Sequence, residues 1–133
     1  MAFQFSTAAR NAALDQIETT ISTSPTLEIR SGSVPANCAA ASTGTVLATI
    51  VLPSDWLTAA SGGSKTISGT WQDASADATG TAGYFRISQG ATCHIQGTVT
   101  ATGGGGDMTL DSVSITAAQQ VNITAFTITA GGA

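Results

Sequence analysis

The sequence predicts a mainly β fold: an antiparallel β-sandwich or barrel of about seven strands with one N-terminal α-helix. Three observations carry this. Apolar residues keep helical spacing only up to about residue 24. Beyond it the period changes to two and β-branched residues dominate. Turn-rich pieces such as GSVPANCAAASTG, TAASGGS, DASADATGTAG and TGGGGD punctuate these later runs. At 133 residues the chain fits one folded unit, with an N-terminal helix or arm over 1–24 and a β-sandwich domain over 25–133.

Ser6 is placed to cap a helix whose body, TAARNAALDQIETTI, is rich in helix formers. Phe5, Ala9, Ala13, Ile17 and Ile21 share one i, i+4 ridge with Leu14 beside it, a narrow apolar stripe. Arg10, Asn11, Asp15 and Glu18 lie largely elsewhere. Pro25 disfavours helical geometry at Ser24 and ends the element.

The strands follow in order. Thr26–Ser31 alternates, with Leu27 and Ile29 on one face. Thr45–Leu52 is apolar at nearly every residue, which suits a strand buried on both sides. Lys65–Trp71 places Ile67 and Trp71 together, and Gly80–Ser88 carries Tyr84, Phe85 and Ile87. Thr92–Thr102 alternates Cys93, Ile95, Gly97, Val99 and Ala101. Met108–Ile115 and Gln120–Thr129 complete the set. Within Val121–Ile128 the phase slips: Val121 and Ile123 face one way, Phe126 and Ile128 the other. Either a bulge sits near Ala125 or this strand is covered on both faces.

Composition narrows the function. Only 9% of residues are charged, against roughly a quarter in an ordinary soluble domain. Thr, Ser, Asn and Gln carry the polarity, and uncharged groups lose less than charges when buried against a partner. The pattern suits a building part that packs against copies of itself. Four basic residues (Arg10, Arg30, Lys65, Arg86) and a net charge of −4 exclude a phosphate-tracking surface. No nucleic-acid partner is expected. No run approaches the roughly 18 apolar residues of a membrane span, and the start MAFQFSTAARNAALDQIE lacks the regions of a signal peptide. Synthesis inside the cell is the expectation, with no membrane partner.

The chemical inventory is sparse. His94 is the single histidine, so no multi-His metal site can be assembled and no second histidine is at hand for a triad. It reads as exposed and structural, pointing away from its neighbour Cys93. Gly103–Gly106 lacks the Lys and following helix of a phosphate loop, and Asp107 would repel phosphate; a wide hairpin loop is expected. Asp73 and Asp77 put two carboxylates on one loop, short of the six to eight oxygens calcium takes. Trp71 and Tyr84 read as core rather than as a sugar platform. Asn122-Ile123-Thr124 matches a glycosylation pattern but lies inside a strand. Cys38 and Cys93 have no ligand spacing; they are either two buried thiols or a disulfide closing a loop of about 56 residues, worth about 4 kcal/mol in the loop-entropy account. No catalytic, cofactor-binding or metal-binding residue is assigned, and no enzyme is expected.

The segments MAFQFSTAARNAALDQIETTI, SPTLEIRSGSVPANCAAASTGTVLATIVLPSDW, SGTWQDASADATGTAGYFRI, CHIQGTVTATGGGGDMTL and VNITAFTITAGGA resemble a family of short structural-module proteins of tailed bacteriophages and prophages. The resemblance runs nearly full length. It implies a virion component, assembled in the bacterial cytoplasm with copies of itself and other virion proteins, and it carries over no functional residues. The expected role is a non-enzymatic capsid decoration or accessory protein. Alternatives are a tail or neck structural subunit, or a carbohydrate-binding fibre or adhesin module. Phe3, Phe5, Ile17 and Ile21 are the expected docking contacts.

Overall fold

The computed structural model describes residues 3–133, so the arm expected over 1–24 is followed from Phe3 onward. Among the described residues lie one helix, α1 (Thr7–Ile21), and nine strands. These are β1 (Thr26–Ser31), β2 (Val46–Val51), β3 (Ser64–Thr66), β4 (Gln72–Asp73), β5 (Gly80–Gln89), β6 (Thr92–Ala101), β7 (Met108–Leu110), β8 (Ser114–Ile115) and β9 (Val121–Thr129). Seven form a continuous path, β2-β1-β5-β6-β7-β9-β3, with β4 added on β9 and β8 on β5. The sheet curls into a half-barrel behind the N-terminal helix. The mainly β class expected from the period is the observed one.

The expected Lys65–Trp71 strand is shortened to β3, which stops at Thr66, because Gly69, with φ +74°, cannot continue a strand; β4 begins only beyond Trp71. The expected Met108–Ile115 is divided into β7 and β8. Between β7 and β8 the Ser112 amide donates to Asp111 Oδ1 at 2.9 Å, a local turn that competes with the ladder.

Bulges explain the irregular phases. In β9, Ala125 pairs with Thr109 and Ile123 with Leu110, leaving Thr124 without a partner. That extra residue keeps Val121, Ile123 and Phe126 all buried while Thr124 and Ala125 are exposed. The slip read in the sequence is therefore a bulge. In β6, Ile95 pairs with Ile87 but Cys93 with Ser88, so His94 is extra. Cys93 thereby leaves the face of Ile95, which corrects the unbroken alternation expected over Thr92–Thr102. Expected burial of both faces of Thr45–Leu52 also fails: β2 ends the strand order and Val51 is 69% exposed. Its adjacent buried Leu47 and Ala48 arise because Leu47 is a bulge residue, skipped between the partners of Ile29 and Arg30.

One pairing breaks the antiparallel pattern. β6 and β7 run parallel, with Val99 beside Met108 and Ala101 beside Leu110. The loop expected to be a wide hairpin is instead a tight return, far shorter than the dozen or more residues such a connection usually takes. Glycine permits it. Gly103 and Gly105 have φ of +87° and +82°, and a Cβ on Gly106 would lie 2.9 Å from the Thr100 backbone nitrogen. The return is pinned by Gly106 N–H donating to Thr100 Oγ1 at 2.9 Å and by Asp107, whose Oδ2 accepts from the Thr98 amide at 2.9 Å.

One face of the curl holds the core: Leu27 and Ile29 of β1, Phe85 and Ile87 of β5, Met108 and Leu110 of β7, and the inward residues of β9. A chain of rings runs through it. Trp56 and Trp71 lie 6.1 Å apart, Trp71 and Phe126 5.8 Å, and Phe126 and Phe85 5.4 Å. Both indoles keep a partner, Trp56 donating to Ser22 O and Trp71 to Ser68 O.

Candidate interaction surface

The helix begins with Ser6 Oγ accepting from the Ala9 amide at 3.1 Å and ends at Ser22, whose amide bonds Glu18 O. Its orientation reverses the simple amphipathic expectation. The polar residues Arg10, Asn11, Asp15 and Glu18 turn toward the β body. Arg10 donates to Gly62 O, and Asn11 Oδ1 accepts from the Gly63 amide at 2.8 Å. Asp15 Oδ1 accepts from the Ala60 amide and from Lys65 Nζ, and Glu18 Oε2 lies 2.7 Å from the same ammonium. Lys65 is only 2% exposed.

The charges of this latch support one another. Burial pulls the Lys65 ammonium down, but its hydrogen bonds to Asp15 and Glu18 outweigh that and hold it above its ordinary value. The hydrogen bond from Lys65, with that from Ala60, holds the Asp15 carboxyl below its own.

Only Leu14 and Ile21 of α1 are buried. Phe3, Phe5 and Ile17 are exposed at 76%, 51% and 39%, and Ala9 and Ala13 are exposed between them. Of the four expected docking contacts, three are free. Ile21 is not: at 2% exposure it belongs to the core cluster, because the helix rotates its last turn into the body. Gln89 fixes that turn, donating from Nε2 to Ile21 O at 2.8 Å and Thr23 O at 3.0 Å.

Two shallow grooves flank the stripe. One, about 290 Å³, runs between Phe5, Ala9 and Ala13 and the chain at Ala130–Gly131. The other, about 260 Å³, lies between Ala13, Ile17 and His94. The bulge in β6 gives His94 this position, so the exposed histidine borders the apolar stripe. The first turn is tied down as well, with the Phe5 amide donating to Gly132 O at 2.7 Å.

The sheet's opposite face carries Glu28, Arg30, Tyr84, Arg86 and Gln96, covered by residues 32–45 as a strap. Cys38 and Cys93 are joined in a disulfide across it, which settles the choice left open by the spacing. Tyr84 is buried under this strap, outside the apolar cluster in which it was expected; its hydroxyl exchanges hydrogen bonds with the Thr43 backbone. Trp71 is buried in the core.

Asp73 and Asp77 are both engaged by Thr49 of β2. Asp73 Oδ2 accepts from the Thr49 amide at 3.0 Å, Asp77 Oδ2 from the Thr49 hydroxyl at 2.7 Å, and the Asp77 amide donates to Leu47 O. Together they stopper the free edge of β2. Among the described residues no three His, Cys, Asp or Glu side chains converge as metal ligands, and no helix is long and apolar enough to cross a membrane. No family model, curated protein or solved structure matches the chain.

Proposed function

We propose that the chain is a non-enzymatic structural subunit of a tailed-phage virion, a capsid decoration or accessory protein that docks through the outward face of α1. One observation carries the reading: the helix spends every charged residue on its own body and leaves Phe5, Ala9, Ala13 and Ile17 bare. An uncharged apolar face is costly to leave in water and is readily covered by a neighbouring subunit. With the β2 edge stoppered, strand addition there is closed, whereas the helix face stays open. A sugar-binding role has less support, because Trp71 and Tyr84 are both buried.

Deleting residues 1–22 would strip Leu14 and Ile21 from the body and strand Lys65 without its carboxylates, so truncation confounds docking with folding. The cleaner test is the double variant Phe5→Gln/Ile17→Gln, incorporated during particle assembly in the producing host. The expected result is an unchanged melting temperature with the variant missing from purified particles. Normal incorporation would overturn the docking surface, and gold-labelled images of wild-type particles would distinguish capsid from tail or neck.

A further inference from the structure

We propose that the Cys38–Cys93 bridge is a redox-operated catch on the strap of residues 32–45, and that reduction lifts the strap from the polar face while leaving the curled sheet intact. The way the strap is held supports this. None of residues 32–45 is buried, so no apolar side chain anchors it. Its hold is one covalent bond and a set of hydrogen bonds.

Tyr84, Arg30 and Ser31 hold the strap's far end at Thr43–Thr45, and its middle is held by Arg86, which is 5% exposed and has no carboxylate within ion-pair distance. Its Nη2 donates to Asn37 O at 3.1 Å and Ala40 O at 2.8 Å, and Nη1 to Ser42 Oγ at 3.0 Å. Gln96 Oε1 takes the remaining side of the guanidinium, at 3.1 Å from Nε and 2.9 Å from Nη2, while its Nε2 donates to Pro35 O at 2.7 Å. The strap's carbonyls thus stand in for a counter-ion. A cavity of about 400 Å³ remains between strap and sheet, bordered by Arg86, Glu28, Ser88 and the disulfide.

This arrangement is separable from the core. No strap residue belongs to the apolar cluster, so lifting it opens no cavity there. Water can replace each carbonyl on Arg86, and Glu28, its register partner across β1 and β5, lies beside it in an ion pair with Arg30 at 3.1 Å. With the bridge closed, the strap cannot leave far enough for that exchange. The exchange is balanced by a small-molecule disulfide: one cysteine thiolate attacks it, forming a mixed disulfide and releasing one thiol. The second cysteine then displaces the other half as a thiol, closing the Cys38–Cys93 bond. A dithiol reductant runs the same steps backward.

The test is amide hydrogen exchange on the full chain, oxidised with glutathione disulfide, reduced with a phosphine, and as the variant Cys38→Ser/Cys93→Ser. Intact mass under non-reducing conditions should show the oxidised form lighter by two hydrogens. Reduction should accelerate exchange at strap amides at least about tenfold, with β1, β5 and β7 unchanged, and the double variant should behave as reduced in either medium. Elastase should nick the strap at Ala39–Ala41 only in the open form. Free thiols after oxidation, equal strap exchange in both states, or loss of protection throughout the sheet on reduction would each overturn the proposal. Arg86→Gln adds an internal check: its strap should stay protected from elastase when oxidised and be cut faster than wild type when reduced.

Discussion

Lys65 and Asp15 meet at 2.7 Å, a buried ammonium on the β body holding a carboxylate that is half exposed on the helix. With Glu18 at the same distance from Nζ, this pair turns the polar side of α1 inward and so decides which side faces out. The pH dependence follows from the shifts. The Asp15 carboxyl titrates below its ordinary 3.8, so its contribution is complete above that value and is lost as pH falls through the lower folded value. The Lys65 ammonium titrates above its ordinary 10.5, so its contribution is complete below that value and is lost as pH rises through the higher folded one. Helix attachment, followed by amide exchange within Thr7–Ile21, should be flat from about pH 5 to 9 and fall only outside that window. Lys65→Met should raise exchange across the helix, remove the alkaline limb and shrink the acid one, which the Ala60 amide still supports.

Ile17 and Ile21 lie one helical turn apart and should behave oppositely. Ile21→Ala removes a buried side chain and should cost about 2–5 kcal/mol by thermal or denaturant unfolding. Ile17→Ala should stay within about 0.5 kcal/mol of wild type. A similar loss from both would mean that the ridge faces the body.

Gly83 should tolerate no side chain. A Cβ there would run into the carbonyl oxygen of Gly32, backbone held where the strap leaves the paired end of β1. Gly83→Ala should cost about 3 kcal/mol or more in urea unfolding, beyond the usual range for overpacking. Gly90→Ala, at a hairpin turn with nothing near its Cβ, pays only for its φ of +60° and should lose about 1 kcal/mol.

Asp73 and Asp77 should matter to the strand edge rather than to a cation. The variant Asp73→Ala/Asp77→Ala frees the Thr49 amide and should lose about 1–2 kcal/mol. It should also associate faster at high concentration, seen as thioflavin fluorescence and growing scattering. Calcium or a chelator should leave the wild-type melting temperature where it is; a rise with calcium would restore the loop as a metal site.

Much of this architecture is legible in the sequence. β1 spans the expected Thr26–Ser31, and Gly80–Ser88 needs one more residue to become β5, because alternation and turn residues are local signals. Ser6 as cap and the phase slip at Ala125 are local too. What pattern reading misses is set by tertiary contact. Nothing along the helix says that Asp15 and Glu18 are drawn inward by Lys65, fifty residues away from Asp15. A Lys within a short β run was the available hint. The bulge at His94 leaves no mark in an alternation that looks perfect, and the glycine run gives no sign that its two strands are parallel. Cys38 and Cys93 could be counted, but their pairing depends on the strap folding over β5 and β6.

The strand order has a consequence for how the chain can be made. β9 lies between β7 and β3 and also carries β4, so it closes the curl last in sequence while covering Trp71, Phe85 and Met108. Until Val121–Thr129 has left the ribosome, β3 and β4 have no ladder to join. The core then stands open along one side. The curl therefore cannot close before β9 has emerged, and a nascent chain stalled ahead of β9 presents its aromatic row to chaperones or to other stalled chains.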